Sequence, residues 1–348
     1  MKILALHTGG TISCKEINGV LTPIADISTG FKYFENEYGV TVEHKFITPF
    51  LSEHLDGEKI TEIAREVKNT VDSGDFSGII VTHGSDTVAY TAAALGYALG
   101  SNCIPVVLVC SNLPLGEDGS TGFANLHGAF ALIKEGKRGV FSVYFDIDYT
   151  PKAGENDYFV SVFRGTRLLR QGVYQSELTC VGKEFARVHI LEADLFSALN
   201  GKQTEAVVSQ SEQYSEGTDE VSPIDVNLAK SSPVTCISVF PSMIYPKISA
   251  TCKAVILDTY HSGTLDTKSK ETVRFARLCK RRNIPVFVSG IGANADYESM
   301  TAFDKLGFKR LPPLSSPAAM YIKLWLLLTS GRDISELYSS LGGDIFIK

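Results

Sequence analysis

Gly78–Thr87 reads GIIVTHGSDT, and its first five residues decide the fold class. Gly78 to Thr82 is a short, apolar, β-branched run opened by glycine, as expected of a strand buried on both faces of a parallel sheet. The run stops abruptly at His83, Gly84, Ser85, Asp86 and Thr87. Val88 to Leu99 (VAYTAAALGYAL) then predicts an alanine-rich, largely buried helix. A hydroxyl and a carboxylate between the carboxyl end of a strand and the amino end of a helix stand where open α/β sheets bind ligands. Free backbone N–H groups attract anions there. For one isolated turn, an Asp N-cap flanked by Ser and Thr is an equally good account.

A second turn of the same kind lies at the amino terminus. Lys2 to His7 (KILALH) predicts a strand, followed by Thr8, Gly9, Gly10, Thr11, Ile12 and Ser13. Two successive glycines let the backbone turn tightly and approach a ligand closely, and Thr11 presents a hydroxyl at the strand end. Together, TGGTI and HGSDT resemble the two signatures, TGGTI and HGTDT, of the bacterial-type L-asparaginase family. The likeness is strongest to its cytoplasmic type I branch and runs along nearly the whole chain.

That resemblance implies an amidohydrolase that releases ammonia from the side-chain amide of L-asparagine, and possibly of L-glutamine, through a threonine nucleophile and an acyl-enzyme. It places Thr11 as the nucleophile, Ser85 as the hydroxyl that orients or relays a proton, and Asp86 on the substrate α-ammonium. Ser52 falls on the family's ligand-binding serine, with Glu53 beside it able to receive an ammonium and Ser52 a carboxylate. The backbone at Gly10 and Gly84 lines the ligand, and an N–H of Gly10 or Ser85 would face the oxyanion. No cofactor or metal is implied. A homodimer or homotetramer is, because the family's sites are completed across a subunit interface.

Three departures accompany the match. Ser85 replaces the second signature's threonine and loses its β-branching. The lid segment Ser13–Pro23, with a turn at Asn18-Gly19, lacks the family's tyrosine. Matching Gly165 in VFRGTRLLR to the family's GxxxTK pattern sets Leu169 on the threonine and Arg170 on the catalytic lysine. A guanidinium with a pKa above about 12 lends positive potential but accepts no proton at neutral pH. An alternative match puts Lys152 in that role by skipping a strand.

The rest of the sequence predicts an α/β protein, with a larger amino-terminal parallel-sheet domain with flanking helices at 1–200 and a smaller carboxyl-terminal α/β domain at 233–348. A polar linker at 201–232, rich in Ser, Glu, Gln and Thr, joins them. Expected strands are Thr41–Phe50, Ile104–Cys110, Val140–Phe145 and Tyr158–Phe163, and in the second domain Val234–Phe240, Ala254–Thr259 and Ile284–Ser289. Expected helices are Lys59–Val71, Gly122–Ile133, the basic amphipathic Lys268–Arg282, and Pro317–Leu328. Asp118, Gly119 and Asn125 are expected to shape a loop. His83 and His127 are expected to be held by hydrogen bonds rather than to act as base or ligand. Tyr260–Gly263 matches the family loop that reaches toward a neighbouring subunit.

Composition limits the alternatives. The formal net charge is -6, without a dense Lys/Arg block, which argues against a nucleic-acid surface. No signal-like apolar segment follows a basic start, and Tyr321–Leu328, interrupted by Lys323, is too short to cross a bilayer, so no membrane is expected. The seven cysteines are scattered and contain no CxxC pair, consistent with the reducing cytoplasm. Two other functions compete: an amino-acid-binding protein that kept Ser52 and Asp86 but lost the proton relay, and an amidotransferase component acting on misacylated tRNA. A dinucleotide site is a weaker third, since no GxGxxG follows a strand.

Overall fold

The computed structural model describes residues 1–24, 26–146, 148, 157–191, 207–210, 218–292 and 296–345. In chain order the first domain runs β1 Lys2–Gly9, β2 Cys14–Ile17, β3 Val20–Pro23, α1 Lys32–Tyr38, β4 Thr41–Phe50, α2 Gly57–Ser73 and β5 Gly78–Thr82. It continues through α3 Val88–Leu99, β6 Val106–Val109, α4 Gly122–Lys134, β7 Val140–Phe145, β8 Asp157–Arg164, β9 Ala186–Leu191 and β10 Val207–Gln210. The second domain holds β11 Val234–Ser238, β12 Ala254–Asp258, α5 Lys270–Arg281, β13 Val286–Val288, α6 Phe303–Leu306, β14 Phe308–Arg310 and α7 Pro317–Ser330.

The large sheet has eight strands in the order β10-β9-β8-β7-β6-β5-β1-β4. Strands β4, β1, β5, β6 and β7 are parallel, and β8, β9 and β10 extend the sheet antiparallel. Every residue of β5 is buried between β1 and β6, which is why its sequence is unbroken β-branched apolar rather than alternating. Helix α2 buries Ile60, Ile63, Ala64 and Val67 at helical spacing, starts at Asp56, whose Oδ1 accepts the Lys59 N–H at 3.0 Å, and stops at left-handed Gly74. Helix α3 has no polar face because it is sandwiched, with Ala92 and Leu95 against the sheet and Ala93, Ala94 and Tyr97 against α7.

The smaller sheet, β11-β12-β13-β14, is wholly parallel. Helix α5 turns Phe275, Ala276 and Cys279 onto it and Arg274 and Arg277 to solvent. The two-domain α/β architecture is therefore the one expected, with differences at the joins. Part of the stretch read as linker is structure. Val207–Gln210 adds the edge strand β10, Ile224 and Leu228 are buried, and the Leu228 N–H donates to Thr61 Oγ1 at 2.8 Å.

Nor does the second domain end as a separate body. Its tail returns to the first, where Thr166 Oγ1 donates to the Gly342 carbonyl at 2.7 Å. Beneath that tail, Lys323 and Asp344, both fully buried, pair at 2.7 Å.

Candidate active site

Three strand ends converge at the carboxyl edge of the large sheet. After β1 the backbone passes through Gly9 at φ 112° and Gly10 at φ 75°, and Thr11 opens a single 3-10 turn, Thr11–Ser13. A Cβ on Gly9 would lie 2.3 Å from the Phe50 carbonyl oxygen, and one on Gly10 2.4 Å from the Gly84 nitrogen. A Cβ on Gly84 would lie 2.5 Å from Ser52 Oγ. The glycines are required because Gly9 meets the backbone at the end of β4, Gly10 meets the backbone of the loop after β5, and Gly84 packs on the Ser52 side chain. The Gly10 contact brings the turn that begins at Thr11 against the loop that carries Ser85 and Asp86.

Hydrogen bonds fix the three loops. The Gly10 N–H donates to the Phe50 carbonyl at 2.9 Å, Thr87 Oγ1 donates to the Ser52 carbonyl at 2.9 Å, and Ser52 Oγ donates to Asp86 Oδ2 at 3.2 Å. One strand earlier, Thr8 Oγ1 donates to the Thr82 carbonyl at 2.6 Å. The Gly10 N–H is thus spent on β4. Of the two N–H groups expected to face an oxyanion, only that of Ser85 has no acceptor among the described residues.

The N-cap of α3 is Thr87, and its hydroxyl is turned to Ser52 rather than to its own helix. Asp86 therefore does no capping, and its exposed carboxylate meets only the Ser52 hydroxyl among the described residues. Ser52 is buried, Thr11 and Ser85 are half-buried, and Glu53 is exposed. Glu53 is close enough to the Cys14 thiol to help burial raise its pKa.

His83 is fully enclosed behind the loop, with Nδ1 on the Gly84 carbonyl and Nε2 on Thr91 Oγ1, both at 2.9 Å. Burial lowers its pKa to about 4, so it is a neutral brace for Gly84. His127 is likewise packed: its Nδ1 lies 3.0 Å from the Tyr38 hydroxyl and its pKa is lowered to about 4 by burial. Asn125 shapes the adjacent loop by donating to the Cys110 carbonyl and accepting from the Phe145 N–H. After the Thr11–Ser13 turn, β2 and β3 form a hairpin with the expected turn at Asn18 (φ 52°) and Gly19 (φ 78°).

Arg170 is not brought to this cluster. It lines a cavity between the domains together with Tyr90, Cys236 and Asp258, and forms no hydrogen bond or ion pair with Thr11, Ser85 or Asp86 among the described residues. The chain before it is pinned by Ser316 Oγ on the Leu168 carbonyl and by the Leu169 N–H on the Thr179 carbonyl. Lys152, the alternative, lies outside the described residues. No group of three His, Cys, Asp or Glu side chains that could hold a metal occurs among the described residues. Sequence reasoning missed Thr87 as the link to Ser52 and Tyr90 as the neighbour of Arg170. Both are common residue types on a helix start, and nothing in their spacing marks them.

Residues 2–168 match the family model described as "Asparaginase, N-terminal". The chain is 35% identical over 148 residues to the L-asparaginase of Thermococcus kodakarensis, covering 42% of this chain and 44% of that protein. It is 29% identical over 170 residues to a component of the glutamyl-tRNA(Gln) amidotransferase of Saccharolobus islandicus, covering 48% of this chain and 37% of that protein. The chain thus spans less than half the length of these curated relatives.

Among solved structures, the thermostable L-asparaginase from Thermococcus kodakarensis superposes with a TM-score of 0.75 at 22% identity over 100% of both chains. L-asparaginase I from Vibrio cholerae gives 0.70 at 17% identity over 99% of both. At these identities the superpositions establish the shared fold. Over residues 2–168, just under half of its length, the chain is similar in sequence to the asparaginase family.

Proposed function

We propose that the protein hydrolyses the side-chain amide of L-asparagine, with L-glutamine as a further candidate substrate, and with Thr11 as nucleophile. The single observation that carries this reading is the contact of Gly10 with Gly84, which sets Thr11 against the loop of Ser85 and Asp86 at the ligand-binding edge of a parallel sheet. Asp86 takes the α-ammonium, a task suited to an exposed carboxylate that caps no helix. Ser52, released from Asp86, turns its hydroxyl to the α-carboxylate. Glu53 stands at the rim as a second partner for the ammonium.

In the first half-reaction the Thr11 oxygen bonds to the amide carbon, the carbon–nitrogen bond breaks, and the Thr11 proton leaves on the nitrogen as ammonia. The Ser85 N–H receives the oxyanion, and the Ser85 hydroxyl carries the proton. In the second, water adds to the ester, restoring Thr11 and releasing aspartate. Ammonia release from asparagine and glutamine, assayed side by side, tests the reading. Thr11→Ala is expected to abolish turnover, and unimpaired ammonia release by that variant would end it.

A second reading rests on Arg170. With the lysine's position filled by a guanidinium that faces the interdomain cavity, the pocket retains its zwitterion-binding groups without a general base. Calorimetry that finds aspartate binding with no ammonia release would favour this amino-acid-binding protein. In either case we assign the chain to the cytoplasm and to a homodimer or homotetramer, the latter checked by light scattering after gel filtration.

A further inference from the structure

Between the large sheet domain and the β11–β14 sheet lies a cavity of about 680 Å³, within the range of roughly 300–1,000 Å³ typical of small-molecule sites. Thr11, Ser52, Ser85 and Asp86 do not line it. One wall is apolar and aromatic. Ile60, Ile322 and Trp325 are buried there, and Tyr90 stands edge-on to Tyr321 with ring centroids 5.9 Å apart.

Its charges are what make it more than a packing gap. Four charged side chains line it, and Asp56 is already committed to the amino end of α2 and to Lys59. The other three are Arg170, Lys230 and Asp258. Arg170 faces the Tyr90 hydroxyl, and Arg170 and Asp258 both act electrostatically on that hydroxyl and on the Cys236 thiol. They nevertheless form no ion pair with each other or with Lys230 among the described residues. Asp258 commits one oxygen, Oδ1, to the Ser289 hydroxyl at 2.8 Å. Arg170 and Lys230 are exposed and Asp258 half-buried where they line the cavity, so a molecule that carries both signs can pair with all three at once.

We propose that this cavity is a second small-molecule site, taking a zwitterion with an apolar or aromatic side chain. Its carboxylate lies on Arg170 and Lys230, its ammonium on Asp258, and its side chain against Tyr90, Tyr321 and Trp325. A small polar zwitterion such as asparagine would leave the aromatic wall in water, so the side-chain class separates this site from the hydrolytic one. The two sites share Thr87, which lines the cavity and holds the Ser52 carbonyl. The inference is independent of whether Thr11 performs hydrolysis.

The chain's single tryptophan, Trp325, lies in the cavity wall and reports occupancy directly. L-Phenylalanine and L-leucine, titrated into the full chain, are expected to give a saturable change in its fluorescence. N-acetyl-L-phenylalanine and L-phenylalanine amide, each lacking one charge, should bind at least about tenfold more weakly, as expected for loss of a charged hydrogen bond. Asp258→Asn and Arg170→Gln should weaken L-phenylalanine binding by about the same factor, while Asp86→Asn leaves it unchanged. The charge-blocked ligands carry the test on the unaltered protein should a variant fail to fold. Absence of a saturable change with both amino acids overturns the proposal. So does equal binding of N-acetyl-L-phenylalanine, or loss of binding in Asp86→Asn, which would place the ligand at the hydrolytic centre.

Discussion

Ser52 Oγ donates a hydrogen bond to Asp86 Oδ2 at 3.2 Å, joining the loop after β4 to the loop after β5 across 34 residues of sequence. In the proposed site this pair meets the backbone end of the amino acid before any amide is cleaved. Removing the carboxylate charge should therefore appear in binding first. Asp86→Asn is expected to weaken L-aspartate binding by about 10- to 150-fold, the range for a hydrogen bond to a charged group. Calorimetry checks this, and unaltered affinity would remove Asp86 from ligand recognition.

The glycine contact makes a sharper stability prediction. Gly10→Ala forces a left-handed backbone on alanine, costing about 1–2 kcal/mol, and drives its Cβ to 2.4 Å from the Gly84 nitrogen. Backbone cannot step aside as a side-chain end can, so overpacking adds about 1–3 kcal/mol. Gly19→Ala has a similar φ of 78° and nothing within 4 Å, and should lose only the first part. Urea denaturation of the two variants compares them directly, and equal losses would mean that the strand ends do not touch.

Behind α3, the fully buried pair Lys323–Asp344 ties α7 to the returning tail, with Lys323 Nζ also on the Ser339 carbonyl and the Tyr97 hydroxyl on Asp344. Lys323→Met leaves a buried carboxylate without its counter-ion and should cost about 3–5 kcal/mol. Lys323→Met combined with Asp344→Asn should recover part of that loss, because the stranded charge is gone. Denaturant midpoints of the single and double variants test the coupling.

Acid should destabilise the protein through its buried histidines. His7, His83 and His127 each have a pKa lowered by burial from 6.5 to about 4. Below pH 6.5 the unfolded chain binds protons that the folded one refuses, so their contribution is complete above pH 6.5 and is lost as pH falls toward 4. Each histidine contributes a slope of about 1.4 kcal/mol per pH unit in that window. Replacing His127 with glutamine, which keeps a polar partner for Tyr38, should reduce the measured slope near pH 5 by that amount. An unchanged slope would show that His127 is already charged in the folded state.

Much of this was readable because the chemistry was local. The β5 run GIIVT, the buried helix VAYTAAALGYAL and the Asn18-Gly19 turn each state their own structure through composition and period, and each is found where expected. Helix α1, strand β14 and strand β10 were not legible. They are short and mixed in polarity, and β10 exists because β9 offers it an edge.

By itself, then, the sequence determined the strand-turn-helix units and which side chains stand at their ends: Thr11 after one strand, Ser52 after another, Ser85 and Asp86 after a third. Tertiary structure alone decided that those ends touch, that the Gly10 N–H is spent on Phe50, that Thr87 serves Ser52 rather than its own helix, and that Arg170 faces the second domain. The physical reason is range. Backbone propensity acts over a few neighbours, whereas a hydrogen bond or a close backbone contact depends on distances that exist only once the strands are in register.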